Sequence, residues 1–170
     1  YSLKNFSDRN IDSIHVVFSE EVITSGITFD KKWTVLISDS LLKYHVYLLE
    51  EPLKPGDSIQ MTFRVTYAAR GFSNEGVSTA VMNDGTYFSR PAWLPSVGYQ
   101  ANREIADHAA RNKFGLPRRT ARDLRDTAAV MDLAGRERIA FDMVASTTPG
   151  QTVVAPGSLK KTWTENGRMF

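Results

Sequence analysis

Residues 58–67 alternate without a break. Ile59, Met61, Phe63, Val65 and Tyr67 fall on one side, and Ser58, Gln60, Thr62, Arg64 and Thr66 on the other. A period of two held over that length suits a strand with one buried and one wet face, which is the habit of antiparallel sheet. Pro55-Gly56-Asp57 directly before it reads as a turn, with proline fixing φ and glycine accepting a positive φ. A chain that carries such a strand must supply pairing partners and an opposing apolar layer.

The neighbouring sequence offers both. Residues 42–49 read as a second strand, with Leu42, Tyr44, Val46 and Leu48 on its apolar side, and residues 11–18 and 33–37 as two more. Residues 23–29 make a weaker strand because Gly26 interrupts it. Asn83-Asp84-Gly85, between residues 77–82 and 86–88, is a strong hairpin signal, since these residue types tolerate left-handed backbone angles. Several short strands with turns and no helix between them argue for a β-sandwich and against βαβ units.

The pattern changes after Pro91. Residues 92–100 read as an ordered loop holding Pro95 and Gly98. Residues 102–114 read as a helix that Asn102 can cap, with Ile105 and Ala109 on one face, stopped by Gly115 and Pro117. Thr120-Ala121-Arg122-Asp123 resembles a capping box and opens a second helix, with Leu124, Ala128 and Met131 in one stripe and Gly135 at its end. The β pattern then resumes. Ile139, Phe141 and Met143 alternate with polar or small residues, and residues 152–155 and 159–164 read as short strands around Pro156-Gly157. Asn166-Gly167 is a second hairpin signal. The expectation is a single, mainly β domain over residues 1–170: an antiparallel sandwich with a two-helix insertion at about residues 102–134, within 100–135. The chain opens on Tyr1 rather than Met and stops on Phe170, so the reading includes that it is a fragment of a longer protein.

Charge and composition exclude several classes. The net charge is +2, and the arginines between Arg103 and Arg138 are interspersed with Glu104, Asp107, Asp123, Asp126, Asp132 and Glu137. Mixed signs at helical spacing describe a solvated, salt-bridged face, so no nucleic-acid partner is expected. Apolar runs are only a few residues long, so no transmembrane segment is expected in this chain. The absence of cysteine leaves the compartment open.

The chemistry-bearing residues do not assemble a complete active site. There are three histidines and no cysteine. His15 and His45 stand alone in β segments, each on the face opposite the larger apolar set, where a histidine is ordinarily a surface or satisfied residue. Glu104 and His108 are four apart on the expected helix and share a face, enough for one edge of a metal site. A catalytic zinc needs three protein ligands, and the chain contains no H-E-x-x-H, so a surface ion pair is the plainer account. There is no G-x-S-x-G for a serine nucleophile. Glu20-Glu21 and Glu50-Glu51 are adjacent carboxylates, which point to opposite faces in a strand and make no dyad. Trp33, Trp93 and Trp163, with the tyrosines, offer a carbohydrate platform only where they are not core residues. No catalytic or metal-binding residue is assigned, no cofactor is expected in this fragment, and Glu104, His108 and Trp93 remain the binding candidates.

A further set of residues carries a family resemblance. Leu53-Lys54-Pro55-Gly56-Asp57-Ser58 precedes the strand ending Val65-Thr66-Tyr67, and Gly71-Phe72-Ser73-Asn74-Glu75-Gly76 follows it. Next come Asn83-Asp84-Gly85-Thr86-Tyr87-Phe88, Pro95-Ser96-Val97-Gly98-Tyr99-Gln100 and Arg103-Glu104-Ile105. Last come Ala155-Pro156-Gly157-Ser158-Leu159 and Trp163-Thr164-Glu165-Asn166-Gly167-Arg168. In order and spacing they resemble the β-sandwich domain that precedes the catalytic domain in M1-family zinc aminopeptidases, above all the bacterial branch fused to a permease-like membrane part. The resemblance implies a twisted, saddle-like sandwich that packs against the following catalytic domain and helps wall its substrate cleft. It also implies that zinc and the catalytic glutamate belong to that following domain, that a peptide is the parent's substrate, and that the domain lies outside the cytoplasm. Residues 99–135 depart from the usual family pattern. The alternative is a stand-alone extracytoplasmic binding module for carbohydrate or protein.

Overall fold

The fold is that of a computed structural model, which describes residues 1–68, 80–82, 84–88, 93–100, 103–119 and 139–170. The chain is mainly β, with antiparallel sheets throughout, and divides into two compact units, Tyr1–Glu104 and Ile105–Phe170.

In the first unit, β1 (Ser2–Lys4), β6 (Ser58–Thr66) and β3 (Ile23–Phe29) form one sheet in that order. A second sheet runs β4 (Trp33–Asp39), β5 (Tyr44–Leu53), β2 (Ile11–Val17) and β9 (Ser96–Val97). The alternating strand predicted at residues 58–67 is the centre of the first sheet, with its apolar face inward: Ile59 and Met61 are fully buried. They meet Ile14, Val16, Tyr47, Leu49 and Leu53 of the second sheet in one cluster, and Phe29, Trp33, Phe63 and Val97 pack around it. Edge-to-face contacts of Phe29 with Trp33 and of Trp33 with Tyr47 seal the cluster at 5.8 and 5.2 Å between centroids.

Irregularities in the ladders have local causes. Gly26 has φ +64 inside the register shift between Ser25 and Thr28, so the glycine that weakens the strand in sequence is the extra residue of a bulge. Opposite the shift between Ile11 and Ser13, β5 carries Glu50-Glu51-Pro52, placing the proline where the ladder is already broken.

Asn5, only 1% exposed, is a heavily used polar side chain. Its amide nitrogen donates to the carbonyls of Arg9 at 2.7 Å and Leu53 at 2.9 Å. Its side-chain oxygen accepts from the Ser7 amide and hydroxyl at 2.9 and 2.7 Å. Its backbone accepts from Gly56 N–H and donates to the Asp57 carbonyl. The turn at Pro55-Gly56-Asp57 is therefore tied to the segment after β1 through one residue.

Two expectations about β5 are corrected. The strand begins at Tyr44, because residues 40–43 form the turn from β4, with Lys43 at φ +52 and the Asp39 carboxylate accepting from the amides of Leu41 and Leu42. The face turned to the other sheet is Tyr47 and Leu49, with His45 on the same side; of the Leu42, Tyr44, Val46, Leu48 set, Val46 alone is buried, on the opposite face. The bulky aromatic at 47 fills the space between sheets, which decides the facing. Val81–Met82 (β7) pairs with Gly85–Thr86 (β8), as the hairpin signal predicts.

In the second unit a single short helix is present among the described residues, α1 (His108–Lys113). The two-helix insertion is thus not formed as expected in its first half, and the predicted second helix falls within residues 120–138, outside the described residues. Asp107 caps α1, its carboxylate accepting from Ala110 N–H at 2.8 Å, so the helix begins six residues later than the pattern predicted. The C-terminus ends as expected: Gly115 has φ +64, and the amides of Gly115 and Leu116 return to the carbonyls of Asn112 and Arg111. Thr164–Glu165 (β10) and Arg168–Met169 (β11) form the hairpin announced by Asn166-Gly167, whose φ values of 49 and 71 give the doubly left-handed turn such a hairpin needs. Residues 139–143 and 152–155 form no strand, and the strand expected at 159–164 is limited to β10; alternation selects a face, but a strand needs a neighbour to accept its backbone groups.

Replacing Asn5 by Ala leaves the buried Leu53 carbonyl, the Arg9 carbonyl and the Ser7 amide without their partner and is expected to cost about 2–4 kcal/mol. Asn5→Asp is expected to fail as well, because a carboxylate presents no donor to the Arg9 and Leu53 carbonyls. Chemical denaturation of the three proteins checks this.

Candidate functional site

The sequence-singled residues fall in different settings. Trp93 is 6% exposed. Its ring stacks on Tyr67 at 4.5 Å and 11° and lies tilted against Phe88 at 5.3 Å. Its indole N–H donates to the Glu21 carboxylate at 2.8 Å. Tyr67 ends the inward face of the alternating strand and Phe88 follows β8, so Trp93 fastens the end of one sheet to the small hairpin. One face of the ring is taken by Tyr67, which leaves no open platform of the kind a sugar needs.

Glu104 is exposed and precedes α1 rather than standing on it, and His108 is the exposed first residue of α1. The shared helix face that made them a pair in sequence therefore does not exist. Among the described residues no group of three or more His, Asp or Glu side chains gathers in reach of one ion.

Two histidines acquire specific partners. His15 Nδ1 lies 2.5 Å from the Tyr44 hydroxyl, diagonally across β2 and β5, with the rings edge-to-face at 5.7 Å. His45 sits on the core-facing side, tilted against Phe18 at 4.4 Å and 3.2 Å from the Ser38 hydroxyl. Burial pushes the His45 pKa below its ordinary 6.5, the Lys43 ammonium pushes the same way, and the Asp39 carboxylate opposes them.

Residues the sequence reading placed elsewhere or passed over turn out to be central. Arg111, counted there in a solvated charge stretch, is 7% exposed; its guanidinium donates to the carbonyls of Pro117 at 2.7 Å and Ile105 at 2.8 Å. It holds the segments before and after α1, a role for which no sequence signal exists. Glu21, one of the adjacent carboxylates, serves Trp93.

Among the described residues of the first unit, an exposed apolar run lies on β4 and its turn: Val35, Leu36, Ile37, Leu41 and Leu42 are all exposed. Among the described residues β4 borders its sheet and pairs with β5 alone, and the register shift between Val35 and Ile37 leaves Leu36 as the extra residue. A bulge on a border strand disrupts the regular row of backbone groups that another strand would need. Val35 lies beside Tyr47 and Ile37 beside Val46, so the exposed side chains are divided between the two faces of the sheet. No family model, curated protein or solved structure matches the chain.

Replacing Trp93 by Ala is expected to lower stability by about 3–5 kcal/mol, seen as a lowered thermal midpoint. Because the folded state holds the His45 pKa below its unfolded value, the associated stability is fully present above pH 6.5 and is lost as pH falls through the folded value. Melting curves from pH 8 to pH 5 should show this loss, and His45→Gln should remove its share of the slope.

Proposed function

We propose that the chain is a non-catalytic β-sandwich domain of an M1-like zinc aminopeptidase, packing against a following catalytic domain and helping to shape its substrate cleft. The observation that carries this reading is the exposed apolar run Val35, Leu36, Ile37, Leu41 and Leu42 in one strand and its turn. A concentration of exposed apolar side chains of this kind marks a surface that another protein part covers. The motif residues behind the resemblance support it in a second way. Lys54-Pro55-Gly56-Asp57 is the turn fastened to Asn5, and Ile59 and Met61 beyond it are core, so these residues serve the fold rather than a reaction.

On this reading zinc is held by the parent's catalytic domain, the substrate is a peptide, and the domain lies outside the cytoplasm as part of a membrane protein. The same apolar strand suits a stand-alone protein-binding module, the second reading. The carbohydrate form of that alternative has less support, because Trp93 is buried.

The coding sequence downstream of Phe170 separates the two readings. The parent is expected to contain H-E-x-x-H followed by a further glutamate, and to release amino acids from aminoacyl-amide substrates in a zinc-dependent way. Residues 1–170 alone, incubated with zinc, are expected to leave those substrates intact. Hydrolysis by the isolated chain, or a parent without the motif, ends the proposal.

A further inference from the structure

We infer that Asn166 is a site of spontaneous deamidation controlled by the β10–β11 hairpin: the closed turn protects it, and opening of the hairpin lets it convert to aspartate and isoaspartate. This holds whether or not the parent protein is a peptidase.

Asn166-Gly167 is the one Asn-Gly step in the sequence. The Gly167 backbone nitrogen can attack Asn166 Cγ, because glycine brings no Cβ to obstruct the approach. The Gly167 amide gives up its proton to solvent base, and a bond from its nitrogen to Cγ closes a succinimide. The bond from Cγ to Nδ2 breaks, and Nδ2 takes up a proton and leaves as ammonia. Water then adds to one of the two ring carbonyls. Opening the bond from Cγ to the ring nitrogen gives aspartate, and opening the bond from the backbone carbonyl carbon to that nitrogen gives isoaspartate. No electrons are transferred.

The turn geometry decides when the attack can occur. Asn166 has φ 49 and Gly167 φ 71, and both residues are exposed. In a doubly left-handed turn the first central residue also has ψ of about +30 to +50°. At that ψ the Gly167 nitrogen lies across the Cα–C bond from Cβ, out of reach of Cγ. Water and base therefore reach the closed turn, but cyclisation needs a rotation that the paired strands do not allow.

Few contacts keep the strands paired. Their register is Thr164 with Met169 and Glu165 with Arg168, and all four residues are exposed. Trp163 and Phe170 exchange backbone bonds at 3.1 and 2.8 Å and stack their rings at 4.9 Å. Thr147 exchanges backbone bonds with Met169 at 2.9 and 3.0 Å, and the Arg168 guanidinium donates to the hydroxyl and carbonyl of Ser146. A hairpin of this size opens locally at modest cost. Isoaspartate then routes the main chain through Cβ. The added backbone atom breaks the register of a two-residue turn, so the hairpin does not close again in its original pairing.

The test incubates folded residues 1–170 at mildly alkaline pH beside the same chain unfolded in guanidinium chloride, and follows Asn166 by peptide mapping and mass spectrometry. Conversion is expected to be about tenfold to a hundredfold slower in the folded chain. Trp163→Ala and Arg168→Ala, each checked for folding by circular dichroism, are expected to raise the rate towards that of the unfolded chain. The isoaspartate product carries a new carboxylate and separates by ion exchange; its amide exchange at Met169 and Phe170 is expected to be faster than in unconverted protein. Equal rates in the folded and unfolded chain overturn the inference, because the closed turn then gives no protection. So does a folded chain that shows no conversion in the time at which a slowing of about a hundredfold would be visible, or a rate that neither substitution changes.

Discussion

Burial of one face of β6 sets the terms for everything in Tyr1–Glu104. Ile59 and Met61 lose all contact with water, which requires an opposing layer, and Val16, Tyr47 and Leu49 provide it. A middle strand also needs partners on both edges, and β1 and β3 supply them. The constraint then propagates into polar chemistry. Closing the core brings the turn at Pro55-Gly56-Asp57 beside the segment after β1, where backbone groups shielded from water must find protein partners. Asn5 is the side chain with enough donors and acceptors, at short enough reach, to satisfy both segments at once. A buried amide that contributes nothing to hydrophobic packing is thus a direct consequence of the packing.

How much of this was legible in the sequence follows from the range of the forces involved. The facing of β6 was readable because its apolar side is unambiguous over five alternating pairs. The facing of β5 was not. Both of its sides carry large apolar residues, and only the space between the sheets favours Tyr47 and Leu49 over Tyr44 and Leu48. His45 moved to the core-facing side as a consequence. The start of α1 was misplaced because Asn102 and Asp107 are both good caps, and choosing between them depends on what the preceding residues do. Of the candidate site residues, Trp93 was read as a binding candidate, whereas the structure buries it against Phe88 and against Tyr67, which is far from it in sequence. Arg111 could not be read at all: its partners include two carbonyls, which carry no sequence signature.

The border strand β4 shows two opposing pressures. Its apolar side chains are exposed, yet the bulge at Leu36 and the flanking Lys31, Lys32 and Asp39 are features that discourage unspecific strand addition. A chain that needed only to be soluble would replace Val35 and Ile37 with polar residues at little cost, because neither belongs to the core cluster. On the proposed reading, the exposed apolar side chains on this disrupted edge are what a neighbouring domain covers.

The two units differ in what orders them. Among the described residues, every buried apolar side chain belongs to Tyr1–Glu104, whereas in Ile105–Phe170 the buried residue is Arg111. Order in the second unit therefore comes from local chemistry: the Asp107 cap, the Gly115 terminus, the Asn166-Gly167 turn and the Trp163–Phe170 stack. Cap and turn signals act within a few residues, so those at Gly115 and Asn166-Gly167 were read correctly from sequence and are formed in the structure. Strand signals act only through a partner, so the patterns at 139–143 and 159–164 were visible in sequence without being realised in full.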